Sequence, residues 1–292
     1  MRNVATSLAA VLTLASVAAC SHKEPDAPPV ATPSLTLNHE RAPLGSPLDI
    51  TYKFAVANDA KFDEDYRVMV HVMDTDEQMI WTDDHNPPVP TRQWKPGQAV
   101  EYTRTVFVPV YPYVGEATIQ VGLYSTGSQK RLPLNGENVG QRAYKVGRVQ
   151  LQPQTENLPS VFKDGWHAAE VVEHNTAIQW QWTKKEATFA FKNPRKDCIF
   201  YFDVDNPTSV LNEPRHVQLT LNGQPLEEFT LQPGVQELKK IPLKADQLGP
   251  GDNAELHILV DKSYIPALIP AANNKDPREL GIRVFHAFVD PR

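Results

Sequence analysis

Cysteine is almost absent from the 292 residues, with only Cys20 and Cys198 present. Two distant thiols cannot build the multi-bridge framework that staples small secreted domains, so a buried core must hold the fold. Basic runs are also missing, and 29 Lys and Arg stand against 35 Asp and Glu, a formal charge of −6. An acidic balance without a basic stripe argues against general nucleic-acid binding. Long helical periodicity does not appear. The G-x-S-x-G elbow, the H-E-x-x-H helix and the P-loop are absent. Nothing marks out two of the carboxylates as the pair, about 5–10 Å apart, that a glycosidase needs. No cofactor motif is found.

The N-terminus supplies what the rest lacks. Residues 1–19 hold one charge, Arg2, followed by an apolar stretch from Val4 to Ala19 diluted by Thr6, Ser7, Thr13 and Ser16. A positive end before a short apolar run is the pattern of an export signal rather than of a permanent span. The segment closes as Val17-Ala18-Ala19-Cys20, which resembles the bacterial lipobox. The resemblance implies cleavage after residue 19 and a lipid-carrying Cys20, giving a membrane partner through the anchor. In such lipoproteins an Asp after the cysteine implies inner-membrane retention. Ser21 stands there instead, so the resemblance implies the outer membrane of the cell envelope, facing the periplasm. Residues 20–33, with Pro25, Pro28, Pro29 and Pro33 among charged residues, read as an extended tether. Without the leader the charge becomes −7, since Arg2 is lost.

Beyond the tether the 26 prolines and the Val, Thr, Tyr and Phe content predict short strands separated by turns. Ile50, Tyr52 and Phe54 alternate, as do Val68, Val70 and Val72, and Ile119, Val121 and Leu123. Val100, Tyr102, Val106 and Val108 share a face, but Arg104 and Phe107 break that run. A second series extends from Val161 to Phe288, with Asn222-Gly223 as a hairpin turn. The polar segment 142–157 fits a linker or crossing strand. The fold class expected is all-β: two antiparallel β-sandwiches, immunoglobulin-like over 34–155 and galactose-binding-like over 156–292. Cys198, inside an apolar run, reads as a buried core thiol.

Val68-Met69-Val70-His71-Val72, Asp83-Asp84-His85-Asn86-Pro87-Pro88, Trp94-Lys95-Pro96-Gly97, Val121-Gly122-Leu123-Tyr124 and Arg131-Leu132-Pro133-Leu134 carry one resemblance. Over roughly residues 35–135 the chain resembles a sandwich module of bacterial envelope proteins, often found beside membrane glycosyltransferases. Gly165-Trp166-His167, Trp180-Gln181-Trp182-Thr183, Leu221-Asn222-Gly223 and Asp276-Pro277-Arg278-Glu279-Leu280-Gly281 carry the second. Residues 160–290 resemble another sandwich from similar contexts, with a galactose-binding-like character. Together they imply an association with envelope polysaccharide, by analogy of fold alone.

Three groups are candidates for chemistry. Trp180 and Trp182 sit at period two on one strand face, with Trp166 and His167 as neighbours to test; flat indoles stack on sugar rings. The bland alternative is that they close one end of the core. Asp84 and His85 are weak metal candidates, since adjacent strand residues point to opposite faces. The alternative is a loop in which they tie down backbone amides. Asp63-Glu64-Asp65 and Asp74 to Glu77 lack the full calcium-loop set and read as solvated turns. Arg278 and Glu279 read as an internal salt bridge before the last strand. The expected function is a non-enzymatic envelope lipoprotein that binds or organises polysaccharide, or a glycan-assembly partner. An adaptor that binds other envelope proteins and a hydrolase are the competing readings.

Overall fold

The computed structural model describes residues 27–291 except Pro112, His174, residues 209–211 and residues 271 and 272. The leader and Cys20 lie outside the described residues. Among the described residues no helix is long and apolar enough to cross a membrane.

The chain is all-β and forms two sandwiches. The first contains β1 (Ala31–Leu37), β2 (Arg41–Pro43), β3 (Pro47–Val56), β4 (Arg67–Met73), β5 (Met79–Thr82), β6 (Ala99–Phe107), β7 (Gly115–Tyr124), β8 (Arg131–Leu132), β9 (Glu137–Gly140) and β10 (Ala143–Gln152). A sheet ordered β1-β3-β6 faces one ordered β2-β10-β7-β4-β5, with β8 added to β7 and β9 to β10. The second contains β11 (Ser160–Phe162), β12 (Glu170–Val172), β13 (Asn175–Trp182), β14 (Glu186–Lys192), β15 (Cys198–Asp205), β16 (Arg215–Leu221), β17 (Gln224–Leu231), β18 (Gln236–Leu243), β19 (Asn253–Val260) and β20 (Arg283–Pro291). Its sheets run β11-β14-β19-β16-β17 and β12-β13-β20-β15-β18. The pairings are antiparallel except β2 on β10.

Period-two alternation explains the cores. Ile50, Tyr52 and Phe54 on β3 meet Val68, Val70 and Val72 on β4 in one buried cluster. Phe189, Phe200 and Phe202 anchor a second, which also holds Cys198, as its apolar run predicts. Asn222 and Gly223 take φ of 50° and 78°, the left-handed pair that their dipeptide predicts for the β16–β17 turn.

One boundary moves, and one open reading closes. The first strand starts at Ala31 rather than 34, within the predicted tether. Pro33 is tolerated because β1 is an edge strand and owes no ladder bond on its outer side. Of the two readings of segment 142–157, linker or crossing strand, the strand is the one found. Ala143–Gln152 is an interior strand between β7 and β2, burying Tyr144, Val149 and Leu151. A bulge between Lys145 and Gly147 shifts its register, which scrambles the alternation in sequence.

The two irregular residues of β6 each have a reason. Arg104 turns to the Asp83 carboxylate, its Nη2 2.7 Å from Oδ1. Phe107 faces the second sandwich and stacks on His286, ring centroids 3.6 Å apart and planes 2° from parallel. Lys240 Nζ bonds Asp49 Oδ1 at 2.7 Å across the same junction, and His39 Nε2 lies 3.3 Å from Asp290 Oδ2.

Candidate functional site

In the first sandwich, Asp83-Asp84-His85 divides by strand parity. Asp83 points inward. It receives two bonds from Arg104 and one from the Tyr52 hydroxyl at 3.3 Å. His85 bridges the Asp83 carbonyl oxygen at Nδ1 and the Tyr102 hydroxyl at Nε2, at 2.6 and 2.8 Å. Burial raises the Asp83 carboxyl, but the His85 and Arg104 hydrogen bonds outweigh it and hold the group below the usual carboxylate range. Burial pushes the Tyr52 and Tyr102 phenols far up. Asp84 points the other way and accepts the Val70 amide at 2.9 Å. Asp84 and His85 therefore do not converge, and the arrangement locks a loop to β4 and β6. Among the described residues no group of three or more His, Cys, Asp or Glu side chains is placed to hold a metal.

The acidic turns are occupied by protein donors. Asp63 takes bonds from Tyr66 and Lys130, which lower its carboxyl to about 2. Glu64 takes the Ser125 and Ser128 hydroxyls, and Asp65 takes Arg92. Asp74 accepts the amides of Asp76 and Gln78, a turn motif.

In the second sandwich three of the four quoted motifs meet at one corner. The His167 amide donates to the Trp182 carbonyl at 2.9 Å, Lys184 to Gly165 at 2.7 Å, and Gly281 to Thr183 at 2.6 Å. Glu279 accepts the Ser263 hydroxyl and the Lys185 amide, and its carbonyl lies 2.6 Å from His167 Nε2. Arg278 pairs with Asp276 and with Glu170 at 2.6 Å, so the predicted lock on the last strand is real, with Asp276 and Glu170 rather than Glu279 as the anions. Asp276 first, then Glu170, raises the guanidinium still further above its ordinary value.

The tryptophans do not form one open platform. Trp182 is 7% exposed and packs with Tyr264 and Leu280 in a satellite cluster. Trp166 packs against the second core and spends its indole N–H on the Thr188 carbonyl at 2.8 Å. Trp180 is half-buried, and its N–H has no hydrogen-bond partner among the described residues. Period two does put Trp180 and Trp182 on one face, but Arg283 from the neighbouring strand occupies that face. Its guanidinium lies 5.2 Å from the Trp180 ring, 5.9 Å from Trp182 and 5.5 Å from Phe285. Asp205 clamps the same guanidinium with two bonds. The Trp pair is thus a cation–π shelf for a structural arginine.

That stack continues inward. Tyr264 lies edge-on to Trp182 and under the Arg215 guanidinium, 4.9 Å away. Arg215 is 1% exposed, and neither terminal nitrogen has a hydrogen-bond partner among the described residues. Burial lowers its proton affinity, opposed by Tyr264, Asp261 and Asp205. A buried charge so poorly paired adds little net stability. Arg215→Met should therefore leave the melting temperature within about 3 °C of wild type or raise it, given the usual few degrees per kcal/mol. A calorimetric loss beyond that range would show that the ring contact stabilises the fold.

Beside this shelf the sandwich edge is open. Between β11 on one sheet and β13 and β20 on the other lies a cleft of about 270 Å³, lined by Phe162, Trp180 and Phe285, by Gln179 and Gln181, and by Ala169, Val284 and Ala287. Its lining combines three aromatic residues with two neutral amides and contains no carboxylate. Sequence reading pointed to Trp180 but missed Phe162, Phe285 and Arg283. The signal was present, since Arg283 and Phe285 repeat at period two on β20 as Trp180 and Trp182 do on β13. A wider depression of about 430 Å³ on the outer face of the other sheet carries Asp164 and Glu186, both exposed, with His257.

No protein-family profile and no curated protein matches the chain. Among solved structures it is similar to the C-terminal domain of EclA, a sugar-binding protein, at 12% identity and TM-score 0.25, over 46% of this chain and 78% of that one. It is similar to carbohydrate-binding modules of the β-sandwich superfamily at 9% identity and TM-score 0.27, over 90% and 99%. The tandem CBM22 domains of Xyn10C from Paenibacillus barcinonensis give 10% identity and TM-score 0.27, over 90% and 92%.

Proposed function

We propose that this chain is a lipoprotein of the bacterial cell envelope, anchored through Cys20, whose second sandwich binds glycan at the cleft of Phe162, Trp180 and Phe285. The observation that carries the binding role is the composition of that cleft. Phe162 offers an exposed ring to sugar C–H groups, and the exposed Gln179 amide offers both a donor and an acceptor to hydroxyls. The lack of a carboxylate in the lining favours binding over glycoside hydrolysis, which needs two. The lipobox and the Pro-rich tether support the anchor, and Ser21 supports the outer membrane.

Calorimetric titration of the mature chain against purified envelope polysaccharides tests the reading. At least one polysaccharide should bind, and Phe162→Ala should weaken it by roughly tenfold or more, as loss of an aromatic anchor does. Phe162 is 40% exposed, which limits the folding cost of the change. Absence of heat with every polysaccharide, or unaltered affinity in the variant, would sink the proposal.

A further inference from the structure

The tripeptide Leu-Asn-Gly occurs at Leu134-Asn135-Gly136 and again at Leu221-Asn222-Gly223. Asparagine is a labile residue, and glycine after it leaves the attacking backbone nitrogen unhindered by any side chain. With the same neighbours on either side, the two asparagines have closely similar chemistry in an unfolded chain. The fold is what separates them.

Both asparagines and both glycines are exposed. Neither glycine amide donates to a partner among the described residues. The carboxamides differ. Asn222, in the β16–β17 turn, is tied at both ends. Its Nδ2 donates to the Gln247 and Leu248 carbonyls at 3.4 and 3.0 Å, and its Oδ1 accepts the Glu255 amide at 3.0 Å. The Asn135 carboxamide is held at the surface through Nδ2, which donates to Thr32 Oγ1 at 3.2 Å.

We infer that Asn135 is a site of spontaneous deamidation and that Asn222 is protected by its turn. Solvent hydroxide takes the Gly136 amide proton, and the nitrogen attacks Asn135 Cγ. The new C–N bond closes a succinimide ring, the Cγ–Nδ2 bond breaks, and ammonia leaves with a proton from water. Water then opens the ring, at the side-chain carbonyl to give aspartate or at the main-chain carbonyl to give isoaspartate. The Asn222 Cγ cannot turn to the Gly223 nitrogen until its carboxamide lets go of three partners. Either product puts a negative charge on the loop that fastens the first strand, where the Asn135 amide donates to Ala31 and Pro133 accepts the Val30 amide. Isoaspartate also lengthens the backbone there by a methylene.

The mature chain is incubated in mildly alkaline buffer over days, natively and in guanidinium chloride. Trypsin places Asn135 in the peptide Leu132–Arg142 and Asn222 in His216–Lys239. Mass spectrometry follows the loss of the amide in each, and isoaspartyl methyltransferase labels the rearranged product. Each site is compared with its own rate in denaturant. Folding should slow Asn222 roughly 10- to 100-fold more than Asn135, since two further neutral hydrogen bonds must open and each contributes a factor of about five. Equal slowing at the two sites would overturn the inference. So would a native Asn135 that stays intact while the denatured chain converts.

Discussion

Replacing Gly165 by alanine is expected to lower the melting temperature of the second sandwich by about 10 °C, a loss of roughly 3 kcal/mol. The position has φ of +83°, and a Cβ there would collide with the Glu186 carbonyl and lie 2.7 Å from the Ala187 Cα. Both obstacles belong to backbone at the start of β14, so no side chain can step aside. Gly223→Ala is the comparison, because it shares a positive φ of +78° but a Cβ would meet nothing within 4 Å. It should lose only the left-handed penalty, about 1–2 kcal/mol. Calorimetry of the two variants separates conformational strain from collision. Equal losses would show that the close approach of Gly165 to β14 contributes nothing.

Asp83→Ala should destabilise the first sandwich by about 2–3 kcal/mol, somewhat less than a fully buried pair because Arg104 reaches solvent. The change strands Arg104 and removes the acceptor of the Tyr52 hydroxyl. Asp83→Leu combined with Arg104→Met should cost less than Asp83→Ala alone, since both charges then leave together. Urea unfolding of the three proteins measures the difference. A double variant no better than the single one would contradict a stranded arginine. The pH dependence follows from the depressed Asp83 carboxyl. Its stabilising contribution is complete above the ordinary Asp value near pH 4 and fades as pH falls through the lower folded value. The gap between wild type and Asp83→Asn should accordingly close below about pH 4.

Much of the architecture was legible from the chain because alternation and burial are the same fact in a sandwich. Ile50-Tyr52-Phe54 and Val68-Val70-Val72 face the core because every second strand residue must. What resisted reading lies where a bulge or a tertiary partner intervenes. The bulge in β10 left linker and crossing strand equally open in the sequence. Arg104 and Phe107 looked like noise until Asp83 and His286 were placed beside them. The same limit applies to the site. Trp180 and Trp182 announced a shared face, but the arginine that fills it is about a hundred residues away in sequence, on β20. The motifs Gly165-Trp166-His167 and Leu280-Gly281 were visible as words. Their meeting at Thr183 and Lys184 requires the fold.

The chain enters the first sandwich at Val30, which pairs with Pro133 and Ala57, beside Val56 at the far end of β3. The second sandwich docks by Phe107, opposite Pro47 at the other end of the same strand. The ten residues of β3 separate these poles by roughly 30 Å at the usual rise per residue. With a lipid at Cys20, the first sandwich becomes a spacer and the tether adds up to ~33 Å of reach when extended. Electrostatic screening in physiological salt acts over about 8 Å, a distance shorter than the first sandwich. On the proposed anchor, a second sandwich standing on this spacer would feel little of the headgroup charge, and its cleft would sample the solution of the compartment.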